Sequence, residues 1–133
     1  MINIENEIYT ILATELESAF PSINVTGEYT NTPPGFPCVS ITESDNYTAA
    51  NRLDSSPTEK YGVLMYEINV YSNKAYARKS ECKAIMQVID SKLLSLNFIR
   101  LALTPVPNLF DASVYRMTAR YRAESDGANI YRR

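Results

Sequence analysis

Residues 61–96 read YGVLMYEINVYSNKAYARKSECKAIMQVIDSKLLSL, a strand pattern followed by a helix pattern. In Tyr61–Ser72 every second residue from Leu64 to Val70 is large and apolar or aromatic, and this period of two predicts a β-strand. From about Ala75 to Leu96 the apolar residues recur every three or four positions, which predicts an amphipathic α-helix. Those positions are Cys82, Ile85, Met86, Ile89, Leu93 and Leu96. We therefore expect the centre of the fold to be a strand that leads into a helix.

The flanking sequence repeats both patterns. An apolar stripe over residues 4–20 predicts a first helix, which Pro21 ends. Two proline-containing stretches, Thr30–Pro37 and Thr104–Asp111, are predicted to be connections. The remaining extended segments are predicted at residues 23–29, Cys38–Asp45, Phe98–Leu103 and Val114–Ala123.

The predicted element order is α-β-β-β-α-β-β, which indicates a single α+β domain spanning residues 1–133. Hairpins placed between helices favour an antiparallel or mixed sheet of about five strands, with the two helices packed on one face. The opposite face would present Met, Tyr and Asn side chains. We expect it to be partly exposed, as surfaces that bind partner proteins are.

Two segments are predicted to lie outside the packed elements. Residues 46–60 have no hydrophobic period and join the strands of the second hairpin, where loops of about 2–5 residues are usual. They form either a disordered excursion or an extended loop that orders against a neighbouring copy, and we expect the second, since long loops in compact domains tend to carry function. The C-terminal tail, residues 124–133, holds a turn at Asp126–Gly127 and an edge contact at Ile130–Tyr131.

The composition excludes several kinds of site. The chain has no histidine, so neither Ser-His-Asp or Cys-His nucleophiles nor histidine metal ligands can occur. Its four glycines are scattered and form no phosphate-binding loop. Cys38 and Cys82 predict buried thiols in a reducing compartment, and Glu28, Glu43 and Asp45 match no calcium-loop pattern. We expect no enzymatic activity, no metal and no cofactor.

The first residues, MINIENE, lack the basic and apolar regions of a signal peptide. No apolar run approaches the roughly 20 residues that span a bilayer. We therefore expect a protein made in the cytoplasm that has no membrane partner.

Charge is unevenly distributed along the chain, although the net charge is only −2. Residues 1–59 hold nine acids and one base, whereas residues 60–133 hold twelve bases and six acids. If the two halves form different sides of the domain, the acidic side of one copy attracts the basic side of the next. The alternative is that both sets mix on one solvated surface.

Two further features favour contact with other proteins. Arg116, Arg120 and Arg122 fall on one face of the last long strand, either as a basic stripe for a partner or as an ordinary solvated strand face. Ten tyrosines and no tryptophan give a tyrosine bias that is typical either of interfaces or of the ordinary strand propensity of tyrosine. The predicted contact residues are Asp45, Asn46, Tyr47, Arg52, Asp54, Glu59, Lys60, Arg116, Arg120, Arg122, Tyr131, Arg132 and Arg133.

Five stretches carry a resemblance to a known family. They are INIENEIY (2–9), YEINVYSNK (66–74), KAIMQVID (83–90), PNLFDASVYRMTARYRA (107–123) and NIYRR (129–133). Together they resemble the small neck proteins of tailed bacteriophages of Gram-positive hosts, of the tail terminator or tail completion type.

The resemblance implies an α+β domain that assembles as a hexameric ring. Such a ring caps the tail tube, stops its growth and docks to the head–tail connector, so that DNA passes through its lumen. It also implies a place in the neck of the virion, after assembly in the host cytoplasm, and ring or lumen contacts by the loop 46–60.

Two other interpretations stay open. The chain suits a head-completion or minor capsid protein of the same neck, bound on the portal side. It also suits a monomeric protein-binding module, such as a regulator of a host enzyme. Nucleic-acid recognition as the main task is disfavoured, because the sequence pI is about 5.2 and no aromatic-and-basic RNA-binding motif occurs.

Overall fold

A computed structural model describes residues 4–28, 35–48, 62–74, 76–107, 114–125 and 130–131. The fold is α+β, as predicted, and its elements follow the predicted order. The helices are α1 (Glu5–Ala19) and α2 (Arg78–Ser95). The strands are β1 (Asn24–Thr26), β2 (Cys38–Thr48), β3 (Gly62–Ser72), β4 (Ile99–Pro107), β5 (Tyr115–Ser125) and β6 (Ile130–Tyr131).

The strands form one mixed sheet in the order β1-β2-β3-β5-β4. β1 runs parallel to β2, and the other neighbours are antiparallel. The short β6 pairs with the end of β5, where Tyr131 lies opposite Glu124, so the predicted edge contact at Ile130–Tyr131 is confirmed. The strand β3 is therefore central, with β1 and β2 on one side of it and β5 and β4 on the other.

Both helices pack on one face of this sheet, as predicted, and enclose the main hydrophobic core. The alternation of β3 places Leu64, Tyr66, Ile68 and Val70 in that core, all fully buried. From α1 the core takes Ile8, Leu12 and Leu16, and from α2 it takes Cys82, Ile85, Met86, Ile89 and Leu93. The aromatic rings of Tyr66 and Phe98 pack edge to face in this core, with their centroids 5.6 Å apart.

The second helix begins later than the predicted Ala75. Tyr76 has a φ of 62°, in the left-handed region that a helix cannot include, so α2 starts at Arg78. The hydrophobic period of the sequence does not show that the helix starts at Arg78, because Tyr76 is apolar enough to extend the helical pattern by one turn towards the N-terminus.

Two predicted loop boundaries are wrong. The connection predicted at Thr104–Asp111 is strand as far as Pro107, because β4 pairs with only one neighbour among the described strands and proline is tolerated on an edge. The loop predicted at 46–60 starts too early, since β2 continues to Thr48 and pairs there with Gly62. A bulge between Glu43 and Asp45 interrupts the alternation of β2, so the strand pattern of the sequence ends at that point although the strand continues.

Candidate interaction site

Arg116, Arg120 and Arg122 lie on the same face of β5, as the alternation predicts, and this face points away from the two helices. The adjacent side chains of β3 complete what we call the polar face. It consists of Met65, Glu67, Asn69 and Tyr71 of β3 opposite Arg122, Arg120, Thr118 and Arg116 of β5, in that register. Directly opposed side chains in antiparallel strands are close enough to bond, so the polar face is a ladder of cross-strand pairs.

Asn69 is the centre of this ladder and is fully buried. Its Oδ1 accepts hydrogen bonds from Arg116 Nε at 3.1 Å, from Arg116 Nη2 at 2.9 Å and from Thr118 Oγ1 at 2.6 Å. Its Nδ2 donates to Glu67 Oε2 at 3.4 Å. The Arg116 guanidinium also lies 5.6 Å from the ring centroid of Tyr71, within cation–π range. The geometry therefore commits Arg116 to intramolecular bonds that hold β3 to β5.

The other two arginines are freer to meet a partner. Arg120 forms an ion pair with Glu67 at 3.2 Å, but its side chain is 59% exposed, and such surface pairs exchange readily with other carboxylates. Arg122 is half-buried opposite Met65 and makes no hydrogen bond or ion pair with any residue that the structure describes. The basic stripe predicted from the sequence is thus divided into one structural arginine and two that can bind anions.

The bulged part of β2 positions the next predicted contact residues. Asp45 is exposed, and its Oδ1 accepts from the backbone N–H of Asn46 at 2.9 Å. The Asn46 side chain is half-buried and donates to Glu43 Oε1 at 3.4 Å. Tyr47 is the next residue of β2, paired with Val63. Asn46 therefore supports the bulge, and Asp45 faces solvent.

Glu43 sits beside a second carboxylate. Its backbone N–H donates to Glu5 Oε2 at 2.9 Å, which ties β2 to the start of α1. Partial burial, followed by the nearby Glu5 charge, raises the pKa of Glu43, while hydrogen bonds from Asn46 and Tyr66 oppose this shift. Burial and the Glu43 carboxylate likewise raise the pKa of Tyr66. This end of the domain therefore concentrates negative charge at the helix–sheet junction.

Six of the predicted contact residues lie outside the described part of the chain. They are Arg52, Asp54, Glu59, Lys60, Arg132 and Arg133. The structure places Tyr131 only by its backbone, in β6. The other described contact residues fall into two separate groups, one at the end of β2 and one on the polar face of β5.

The topology separates the charges in space. Described residues 4–48 hold seven acids and no base, and they form α1, β1 and β2 on one side of β3. The opposite side, made of α2, β5 and β4, carries eight lysines and arginines and three acids among the described residues from Arg78 to Glu124. One flank of the domain is therefore acidic, and the other is predominantly basic.

A small cleft of about 190 Å³ lies on the basic flank, between α2 and β4. At its rim Arg100 bridges to Asp90 Oδ1 at 3.1 Å, and the same oxygen accepts from the Tyr121 hydroxyl at 2.8 Å. Burial, and next the bond to Asp90, raise the pKa of Tyr121. These contacts hold α2 on the sheet.

Two features of the molecule were not predicted from the sequence. Asn69 looked like an ordinary outward-facing strand residue, although a lone amide in the middle of a central strand signals a buried hydrogen-bonding role. Tyr76 gave no signal, because it lies in a stretch predicted to be helical.

Within the described segments, no three His, Cys, Asp or Glu side chains come together in a way that would hold a metal ion. Neither helix of the described chain has the length and apolar character needed to cross a membrane. No protein-family model matches this chain, and a search of curated proteins gives no significant match.

Proposed function

We propose that this chain is a virion structural protein, a tail terminator whose copies form a ring that caps the tail tube and joins it to the head–tail connector. DNA passes through the lumen of this ring. In this proposal the protein acts by assembly and has no catalytic role or cofactor. Its place is the neck of the virion, after assembly in the host cytoplasm.

The observation that carries the proposal is the separation of charge between the two flanks. The acid-only flank of α1, β1 and β2, as far as the structure describes it, complements the basic flank of α2, β5 and β4. Such a subunit favours head-to-tail contacts, in which two different surfaces meet. Head-to-tail contacts close into a ring when the rotation between copies divides a full turn. The resemblance of the sequence to phage neck proteins supports the same conclusion.

Electron microscopy of the purified protein, alone and mixed with purified tail tubes, tests this proposal. We expect rings on one end of each tube, and the matched control is the same tubes without the protein, whose ends stay bare. Isolated particles beside bare tube ends would contradict the proposal. Rings that bind purified connectors and leave tubes untouched would also contradict it, in favour of a head-completion protein on the portal side.

Solution mass measurement separates the ring from a monomeric binding module. We expect static light scattering to show association that increases with protein concentration and falls with salt, because salt screens attraction between exposed charges. A strict monomer at every concentration, with and without tail tubes, would contradict assembly and favour the monomeric module.

A further inference from the structure

Tyr76 is the most exposed large hydrophobic side chain in the described structure, with a relative exposure of 105%. Its backbone is also unfavourable, because a φ of 62° is rare for a residue with a large side chain. Such a conformation persists only where the surrounding structure imposes it, and residues of this kind cluster at functional sites. Tyr76 therefore has a strained backbone, and its ring lies entirely in water, where it adds no packing to the isolated chain.

The turn that carries Tyr76 is held by local hydrogen bonds. Ser72 Oγ donates to Glu81 Oε1 at 2.5 Å and accepts the N–H of Lys74 at 3.3 Å. The N–H of Ala77 then donates to the carbonyl of Lys74 at 3.2 Å. These bonds link the end of β3 to the first turn of α2, so the tyrosine is presented from an ordered base. Binding through a preorganised residue loses less conformational entropy.

Tyr76 shares a shallow cavity with two basic side chains. Tyr76, Arg78, Lys79 and Tyr115 line a broad, shallow cavity of about 700 Å³, and Lys74 is exposed nearby. We call these five residues the Tyr76 patch. The side chains of Arg78 and Lys79 make no hydrogen bond or ion pair with any described residue. The patch therefore fits a partner that offers carboxylates around a flat surface on which an aromatic ring can lie.

The chain itself carries such a surface on α1. Glu7, Thr10, Thr14 and Glu17 are spaced three and four residues apart, so they share one helix face, and all four are exposed. The two carboxylates form no hydrogen bond or ion pair within the described chain. Between them Thr10 and Thr14 have short side chains, which leave room for a ring and offer it methyl groups to pack on. We call this surface the α1 acidic face.

We propose that the Tyr76 patch of one copy docks on the α1 acidic face of a second copy. The Tyr76 ring lies on Thr10 and Thr14, and Arg78 and Lys79 pair with Glu7 and Glu17. This inference rests on the proposed function, because it names the surfaces through which copies meet in the ring. A buried tyrosine supplies about 150–250 Å² of contact, so Tyr76 is the energetic centre of a wider interface of about 1,000 Å² or more.

Paired charge reversals test this docking. The variants Arg78→Glu/Lys79→Glu and Glu7→Lys/Glu17→Lys should each lose self-association in sedimentation velocity at low ionic strength, because each then has like charges on both surfaces. The two variants should associate again when they are mixed. The acidic patch of the first variant then meets the basic α1 face of the second, and the unchanged patch and face also attract each other. The comparison variant, Lys83→Glu/Lys92→Glu, makes the same charge change on α2 outside the Tyr76 patch, so it should weaken association less than the patch reversal does.

The variant Tyr76→Gly separates docking from folding. Glycine adopts a φ of 62° without strain, so thermal stability should stay equal or rise. Loss of the ring should nevertheless weaken self-association by about tenfold or more, the scale of a central interface residue. Equal loss of stability and association would mean that Tyr76 has only a structural role, and the proposal would be wrong.

The remaining outcomes distinguish this docking from the ring itself. Rings that persist in both reversed variants, or a mixture that stays dissociated, would overturn the docking and leave the tail-terminator proposal standing. Reversal that abolishes binding to duplex DNA but not self-association would overturn the docking in favour of nucleic acid. Self-association through these surfaces without rings on tail tubes would instead support the docking and contradict the tail-terminator function.

Discussion

The buried amide of Asn69 should be the most costly polar group of the sheet to remove. In Asn69→Ala the Oδ1 acceptor is lost, which leaves two guanidinium N–H groups of Arg116 and the hydroxyl of Thr118 without their partner. Hydrogen bonds to charged groups contribute about 1.5–3 kcal/mol each and neutral ones about 1 kcal/mol, but three bonds that share one acceptor are not additive. We therefore expect the free energy of unfolding to fall by about 2–4 kcal/mol.

Urea denaturation followed by circular dichroism measures this loss. The control is Asn73→Ala, the same change at an exposed site just beyond β3, which should alter stability by less than about 0.5 kcal/mol. A double-mutant cycle with Thr118→Val should show coupling of about 0.5 kcal/mol or more, since the two side chains are bonded. A loss below about 1 kcal/mol for Asn69→Ala, or no coupling, would refute the role assigned to this amide.

Three other changes have defined outcomes. The raised pKa of Glu43 means that the folded chain binds the proton of this carboxyl group more tightly than the unfolded chain does. Protonation of Glu43 therefore stabilises the fold fully at pH values below 4.5, and this stabilisation is lost as the pH rises through the folded-state pKa. Glu43→Gln should accordingly be more stable than wild type to urea at pH 7 and match it at pH values below 4.5. Tyr121→Phe removes the donor to Asp90 and should reduce the free energy of unfolding by about 1–2 kcal/mol in the same assay. Burial raises the pKa of both thiols, that of Cys82 to about 12, so a thiol reagent should label Cys38 and Cys82 only when the chain unfolds.

Matched substitutions control these outcomes. Glu7→Gln changes an exposed carboxylate on α1 and should not reproduce the pH-dependent gain expected of Glu43→Gln. Tyr76→Phe removes a fully exposed hydroxyl and should leave stability unchanged, in contrast to Tyr121→Phe. A stability gain of Glu43→Gln that does not depend on pH would contradict the raised pKa of Glu43. Equal losses of stability in Tyr121→Phe and Tyr76→Phe would contradict the bond to Asp90, and rapid labelling of the native chain would contradict the burial of the two thiols.

Local patterns predicted most of the fold because they report burial directly. The alternation of Leu64 to Val70 and the helical spacing of Cys82 to Leu93 both describe side chains that face the core, and both assignments are confirmed. The errors occur where tertiary pairing overrides a local signal. Pro105 is accommodated because β4 is an edge strand, which only the strand order reveals.

The candidate site was predictable only in part. That Arg116, Arg120 and Arg122 share a face follows from the period of a strand, so the sequence was sufficient for that prediction. That Asn69 captures Arg116 depends on register between residues 47 positions apart, which no local pattern contains. The positive φ of Tyr76 is likewise a result of how β3 joins α2, and tyrosine itself does not favour it.

The edge strand β4 has a consequence for any crowded assembly of this protein. This strand has a bulge between Arg100 and Ala102, and it contains two prolines, Pro105 and Pro107, which have no backbone N–H. Another strand that paired with β4 would therefore lack some of the hydrogen-bond donors that it needs. In the proposed ring, copies that approach one another along this edge are therefore not expected to join into one continuous sheet. High local concentration then favours reversible side-chain contacts over amyloid-like growth.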